Sequence, residues 1–429
     1  MIGAEKIIEK KKEYLFPSSW GNHFYKNPPE IVKGDMQYLY DNSGKEYIDF
    51  FAGVSVMNCG HCNKEILDVT IKQMQTLQHT TIIYLTEQMV NLAEKLSNIL
   101  PGDLKRVFFC CTGSEANEGA MLLARLHTGK NEFIALENGL HGRTYLTMSA
   151  TAIPMWRADP DLSNKVHFIK NTYSENKSAE EAARESLEDI EKIINSRGAD
   201  KIAALIAEPI QGNGGIITPP LWYFKELKAL LERNNILLIV DEVQTGFART
   251  GKMFAIENYD VVPDIMTVAK ALGNGMPISA FCANEKVAKS FIKPSASTLG
   301  GNPVSSATAM AVLDYIEKND LCNSANRLGK LLKDGLEKLQ TKFSIIKEVR
   351  GLGLMLGAEL RLENGEPASE ATDVILEKLK DRGFIVGKNG INRNVLAFQP
   401  PLVITEDNIR ELLGNLEEVL KEVSVKNID

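Results

Sequence analysis

Asp241 and Lys270 are a carboxylate and an amine that each follow directly on a short apolar run. Ile236 to Val240 reads as a buried strand, and Asp241-Glu242-Val243-Gln244 comes next, so an acid is placed where a strand ends. Pro263 to Ala269 reads as a second strand and delivers Lys270 just ahead of the glycine-rich loop Gly273-Asn274-Gly275. Two such ends can share one crevice at the carboxyl edge of a parallel sheet, where open α/β folds bind ligands. The pair suits pyridoxal phosphate (PLP), whose aldehyde forms a Schiff base with a lysine and whose ring nitrogen is kept protonated by an aspartate. Taken alone, the same residues also fit an ordinary sheet-end carboxylate and a surface lysine.

A third stretch adds an anion site. Arg106 to Cys111 reads as a strand, followed by Thr112-Gly113-Ser114-Glu115-Ala116-Asn117 and an Ala/Leu-rich helix. Free backbone N–H groups and the helix dipole converge at such a turn, and phosphate is the guest that fits. Ser114 as a plain helix N-cap is the competing explanation, and its weight falls once Lys270 is considered beside it.

The strings VDEVQTGFARTG (Val240 to Gly251), TVAKALGNGMPISA (Thr267 to Ala280), FCCTGSEANEGAMLLAR (Phe109 to Arg125) and STLGGNP (Ser297 to Pro303) occur in the order and spacing of one family. Together with DNSGKEYIDFFAGVSVMNCGH (Asp41 to His61) and the QPPLVIT segment, they make the chain resemble the class III, or omega, aminotransferases over nearly its whole length. The resemblance implies the aspartate aminotransferase fold, an α/β large domain with a mainly parallel, seven-stranded mixed sheet and a smaller α+β domain. It implies PLP as cofactor, with Lys270 as anchor and proton-moving base, Asp241 at the ring nitrogen, Val243 on one ring face and Gln244 near the phenolic oxygen. Gly113 and Ser114 become the phosphate cup, Leu140 and His141 approach the ring, and Thr298 reaches the cofactor phosphate of a neighbouring subunit in a homodimer. Val54, Tyr84, Arg143 and Glu208 become substrate contacts, Glu208 also lying close to the cofactor.

Two departures matter. Relatives usually carry Phe or Tyr before the His-Gly of Leu140-His141-Gly142-Arg143-Thr144, and an aliphatic side chain cannot stack as an aromatic ring does. Many relatives also place a carboxylate-gripping arginine where this chain has Ala397, in Asn394-Val395-Leu396-Ala397-Phe398-Gln399-Pro400. A bidentate arginine is the usual solution for a carboxylate, so the grip comes from Arg143, Arg393 or elsewhere, or the donor has no carboxylate there. The expected donor is an ω- or β-amino compound, a simple amine or an amino acyl thioester, passing its amine by ping-pong to a keto acid such as 2-oxoglutarate or pyruvate. A phospho-lyase or a racemase or epimerase of the same family is one alternative, and a catalytically silent binding protein is another, which the presence of Lys270 and Asp241 disfavours.

The length of 429 residues suffices for a packed core, and a net charge of −7 with no basic block argues against a general nucleic-acid role. No apolar run approaches the ~18 residues that cross a bilayer, and the N-terminus lacks the apolar core of a signal peptide, so no membrane partner and a cytoplasmic address are expected. Cys59-x-x-Cys62 has no second pair to complete a zinc site, the histidines lack ligand spacing, and Cys110 and Cys111 read as small core residues, so no metal is implied.

Positioning these groups requires the rest of the chain. An aromatic-containing N-terminal arm is expected to pack on another element or a second subunit. A hairpin is expected over Gln37 to Tyr40 and Glu46 to Phe50, and a helical stretch from His61 to Leu100. Strand and helix then alternate through Phe133 to Leu136, the polar helical stretch Asn171 to Arg197, Lys201 to Ala207 and the helix Leu221 to Arg233. Helices from Ser305 to Lys318 and on to Lys342 lead into Val349 to Leu360 and Gly383 to Gly387. The expected division is 1–58 as arm and part of the small domain, 59–305 as the large PLP-binding domain and 306–429 as the C-terminal small domain, the small domain drawing on both chain ends.

Overall fold

Seven strands form the central sheet, in the spatial order Arg106–Cys110, Ser279–Ala283, Ile265–Val268, Leu237–Asp241, Ile202–Ala207, Glu132–Leu136, Val166–Ile169. Every pair from Ile265–Val268 onward is parallel, and Ser279–Ala283 runs antiparallel to both its neighbours. Ile202–Ala207 and Glu132–Leu136 are buried at every position, as near-continuous apolar strands must be when helices cover both faces of a sheet. The computed structural model describes residues 2–20 and 24–425; Met1 and Gly21 to His23 of the expected arm, and the last four residues of the expected C-terminal domain, lie outside the described residues.

Two four-stranded sheets flank this layer. In one, Ile31–Asp35, Tyr38–Asp41 and Glu46–Asp49 pair antiparallel, and Phe384–Ile385 adds to Glu46–Asp49 in parallel. In the other, Ile346–Leu352, Met355–Leu360, Val395–Phe398 and Gly387–Asn389 are antiparallel neighbours.

Two expectations need correction. The helical stretch from His61 to Leu100 is two helices, Lys64–Thr76 and Glu87–Ile99. The intervening Thr80-Thr81-Ile82-Ile83 is a β-branched run that is stiff at χ1 and resists a helix, and Leu77 has extended backbone. Cys111 is half-buried at the rim of a cavity rather than in the core, because the strand stops at Cys110 and the chain turns there into the helix Gly113–Thr128. The N-terminal arm divides: its helix Ala4–Tyr14 buries nothing, whereas Phe24 packs on Phe51 at 5.6 Å between ring centroids and the Tyr25 hydroxyl donates to Val386 O.

Glu242, fully buried behind the sheet edge, accepts hydrogen bonds from Ile256 N at 2.8 Å and from the Thr245 hydroxyl. Burial pushes its carboxyl up from the ordinary 4.5 to about 7, against the pull of those donors. The native state thus holds more protons than the unfolded chain between these values, and stability falls as pH rises through that interval. Glu242→Gln has no charge to bury, so it is expected to flatten this decline and to gain up to ~3 kcal/mol on the parent above neutrality. Urea unfolding of both proteins from about pH 5 to about pH 8 checks it; parallel declines would refute the assignment.

Candidate active site

The backbone register of the two central strands builds the site. Asp241 closes the strand Leu237–Asp241 and lies directly beside Thr267, and Lys270 follows three residues later. The Asp241 carboxylate is buried and takes three donors: Asn117 Nδ2 at 2.7 Å and His141 Nδ1 at 2.8 Å on Oδ2, and Val243 N at 3.0 Å on Oδ1. Asn117 is itself fixed, donating also to His141 O and accepting from the Thr267 hydroxyl at 2.6 Å. Burial disfavours the His141 imidazolium, but the Asp241 carboxylate outweighs it and the histidine pKa is raised. The Asp241 oxygens keep lone-pair capacity for one more N–H donor.

Lys270 is held in the left-handed region at φ 45°, a conformation that costs a non-glycine residue ~1–2 kcal/mol. Burial lowers its pKa, opposed by the nearby Asp241 and Glu208 charges, so the amine is easier to deprotonate than a surface lysine. Glu208 ends the segment after the strand Ile202–Ala207. Its Oε1 accepts from Leu140 N at 2.9 Å and its Oε2 from Gly212 N at 3.1 Å. Burial lifts its carboxyl to about 7, with Asp241 adding to the rise and His141 and the two backbone donors opposing it. Neither oxygen has a side-chain cation partner among the described residues.

At the start of the helix Gly113–Thr128, Thr112 caps Glu115 N, and Glu115 returns to Cys111 N and Thr112 N. The first N–H groups of that helix, at Gly113 and Ser114, have no intrahelical acceptor. Ser114 Oγ accepts from Arg143 N at 3.0 Å, which leaves its hydroxyl proton to donate. The cradle has no room for further side chains: a Cβ on Gly142 (φ 149°) would fall 2.7 Å from Ser114 Oγ, and one on Gly113 would fall 3.0 Å from Val243 Cγ1.

These groups surround a cavity of about 560 Å³, within the roughly 300–1,000 Å³ usual for small-molecule sites. Val54, Gly113, Ser114, Leu140, His141, Arg143, Glu208, Asp241, Val243, Gln244 and Lys270 all line it. Val54 belongs to Ala52-Gly53-Val54-Ser55, four successive residues with φ between 49° and 68°. Asp49 Oδ1 stabilises this turn by accepting from Phe51 N and Ala52 N, and Gln399 Nε2 ties Ser55 Oγ at 2.8 Å and Gln244 Oε1 at 3.3 Å.

Tyr84 and Thr298 are exposed and stand apart from the cavity of their own chain. Arg393 is also away from it, its guanidinium resting 5.0 Å from the Phe24 ring centroid. Sequence reasoning passed over Asn117, Asn213, Trp156 and Gln399; only Asn117 carried a signal, as the polar residue on an otherwise Ala/Leu-rich helix face four residues after Gly113.

A buried sheet-end carboxylate, an adjacent buried amine and a helix-start anion cup around one cavity fit PLP. Residues 22–420 match the family described as aminotransferase class-III. The chain is 40% identical over 408 residues to alanine–glyoxylate aminotransferase 2 homolog 2, mitochondrial, of Arabidopsis thaliana, covering 94% of this chain and 85% of that one. It is 37% identical over 432 residues to the leucine/methionine racemase of Thermococcus litoralis, covering 98% and 96%. Among solved structures it superposes with a TM-score of 0.90 at 28% identity on an amine transaminase from an uncultivated Pseudomonas species in its PLP-bound form, covering 96% and 99%. The chain belongs to the class-III aminotransferases, with the mixed seven-stranded sheet of PLP-dependent transaminases, and PLP is its cofactor.

Borohydride reduction of the PLP-loaded protein, followed by peptide mass analysis, is expected to leave the cofactor on Lys270. Lys270→Ala should show no stable adduct; label on another lysine would displace the assignment.

Proposed function

We propose that this aminotransferase takes its amine from an ω- or β-amino compound or a simple amine and passes it to a keto acid such as 2-oxoglutarate or pyruvate by ping-pong. The observation that carries this reading is Ala397. It is fully buried on the strand Val395–Phe398, opposite Gly357 and Gly387, and packs with Ile210, Ile216 and Met355. An apolar cluster thus occupies the place of a carboxylate-gripping arginine, and among the described residues Arg143 is the one arginine lining the cavity.

Bound PLP supplies an aldehyde that captures the amine and a cationic ring that accepts the electron pair released when a proton leaves the donor carbon. Lys270 Nζ would anchor that aldehyde, and its lowered proton affinity suits it to take that proton and return it. Asp241, oriented by Asn117, His141 and Val243 N, would pair with the ring nitrogen. Val243 and Leu140 would wall the ring and exclude water, Gly113 and Ser114 would hold the phosphate, and Gln244 would approach the phenolic oxygen. Glu208, close to neutrality in its titration, meets the cationic donor as a carboxylate.

A donor panel tests the substrate class. Amines, ω-amino and β-amino compounds are expected to exceed plain α-amino acids in kcat/KM by roughly ten- to a hundredfold, the worth of one charge-assisted carboxylate contact. An α-amino acid that outruns them all would overturn it. The similarity to a racemase favours one rival, amino-acid racemisation on the same residues; chiral product analysis without a keto acid separates the two, because only racemisation then turns over.

The working unit is proposed to be a homodimer in which Thr298 reaches the partner's cofactor phosphate. Ile83, Tyr84 and Leu85, with exposures of 81%, 66% and 100%, form an apolar surface that a second copy would cover. Sedimentation should give about twice the chain mass of 47.5 kDa; a fully active monomer would end this proposal.

A further inference from the structure

Arg350 stands outside the cavity, buried on the strand Ile346–Leu352, and no step above uses it. Its Nε and Nη2 both donate to Gly215 O, at 2.9 and 2.7 Å, while Nη1 donates to Glu348 Oε2 and Glu359 Oε2, both at 2.6 Å. The guanidinium rests 4.6 Å from the Tyr173 ring centroid. Glu359 Oε1 in turn accepts from Arg361 Nε and from the Tyr173 hydroxyl, both at 2.7 Å.

Gly215 leads back to Glu208. Gly215 N and Ile216 N donate to Gly212 O at 3.1 and 3.2 Å, and Gly212 N is the donor on Glu208 Oε2. A second grip falls on the same loop: Asn389 Nδ2 donates to Gly212 O at 2.9 Å, and Gly390 N donates to Asn213 O at 3.0 Å. The flanking sheet therefore holds the loop 212–216 at two places, and that loop supplies one of the two N–H groups on Glu208. Burying Arg350, Glu359 and Arg361 together adds little net stability over apolar side chains of similar volume. A rigid planar fork does, however, fix the distance and direction of the group it holds.

We propose that Arg350 is a positioning residue: its fork on the Gly215 carbonyl keeps the Gly212 N–H against Glu208 Oε2 and so keeps Glu208 a carboxylate in the cavity. The inference rests on Glu208 meeting the donor in that form. The charged groups facing Glu208 are His141, Asp241 and Lys270, with Arg143 on the same cavity wall. With those unchanged, losing the Gly212 N–H removes support from the charged form only, and the carboxyl must titrate higher than about 7.

The test is the pH profile of kcat/KM of the holoenzyme with its best donor, beside the thermal midpoint of the cofactor-free protein. The parent should lose activity as pH falls through about 7, and Glu208→Gln should lack that limb. Arg350→Lys keeps a charge beside Glu359 without the fork, and Asn389→Ala loosens the same loop without touching a charge. Both should move the acid limb up by about one pH unit, the worth of one hydrogen bond to a charged group. Arg361→Lys disturbs the ion cluster without touching the loop, so it should lower the midpoint and leave the limb in place. A lowered midpoint with an unmoved limb in both Arg350→Lys and Asn389→Ala would make Arg350 merely structural and overturn the proposal. If the parent shows no limb, or Glu208→Gln keeps it, the reading of Glu208 fails and takes this inference with it.

Discussion

The site depends on one electrostatic constraint, the burial of the Asp241 carboxylate. Removing one partner from a buried, paired charge costs ~3–5 kcal/mol, so the fold must deliver its donors accurately. They come from three places in the chain: Asn117 on the helix Gly113–Thr128, His141 from the segment after Glu132–Leu136, and Val243 from the turn that follows Asp241 itself. The observed strand order brings these together, and Thr267, across the register from Asp241, orients Asn117. The same register sets Lys270 beyond the strand end, on the cavity side of the acid.

Around that anion the flanking sheets decide what else the cavity contains. The left-handed turn at Ala52 to Ser55 is strained at its non-glycine residues, among them the β-branched Val54 at φ 68°. It persists because Asp49 and Gln399 bind it from both sides, the second also touching Gln244. The Ala52–Ser55 turn and Gln244 are thereby tied through one buried glutamine. Glu208 shows the opposite economy: a buried carboxylate with two backbone donors and no side-chain cation partner among the described residues, close enough to Asp241 and Lys270 to feel both charges.

The chemistry was legible because strand ends are legible. Apolar runs that stop at Asp241 and just before Lys270, and a strand that turns at Gly113-Ser114 into a helix, mark a sheet edge whose groups face one crevice. The helical stretch from His61 to Leu100 was misread because leucine spacing at Leu92 and Leu96 masked the β-branched interruption before it. Cys111 was misassigned for a related reason, since alternation along a strand says nothing about where that strand stops.

By itself the sequence marked five of the seven central strands, passing over Ser279–Ala283 and Val166–Ile169, and with them the turn at Gly113-Ser114 and the lysine and aspartate at strand ends, because these are local patterns of residue type and spacing. Tertiary structure alone decided that Asp241 raises the His141 pKa, that Glu208 has no side-chain cation partner among the described residues, and that Ile210, Ile216 and Met355 fill the space beside Ala397. Those properties arise between residues far apart in the chain, where burial and distance set charge, and no local pattern encodes either.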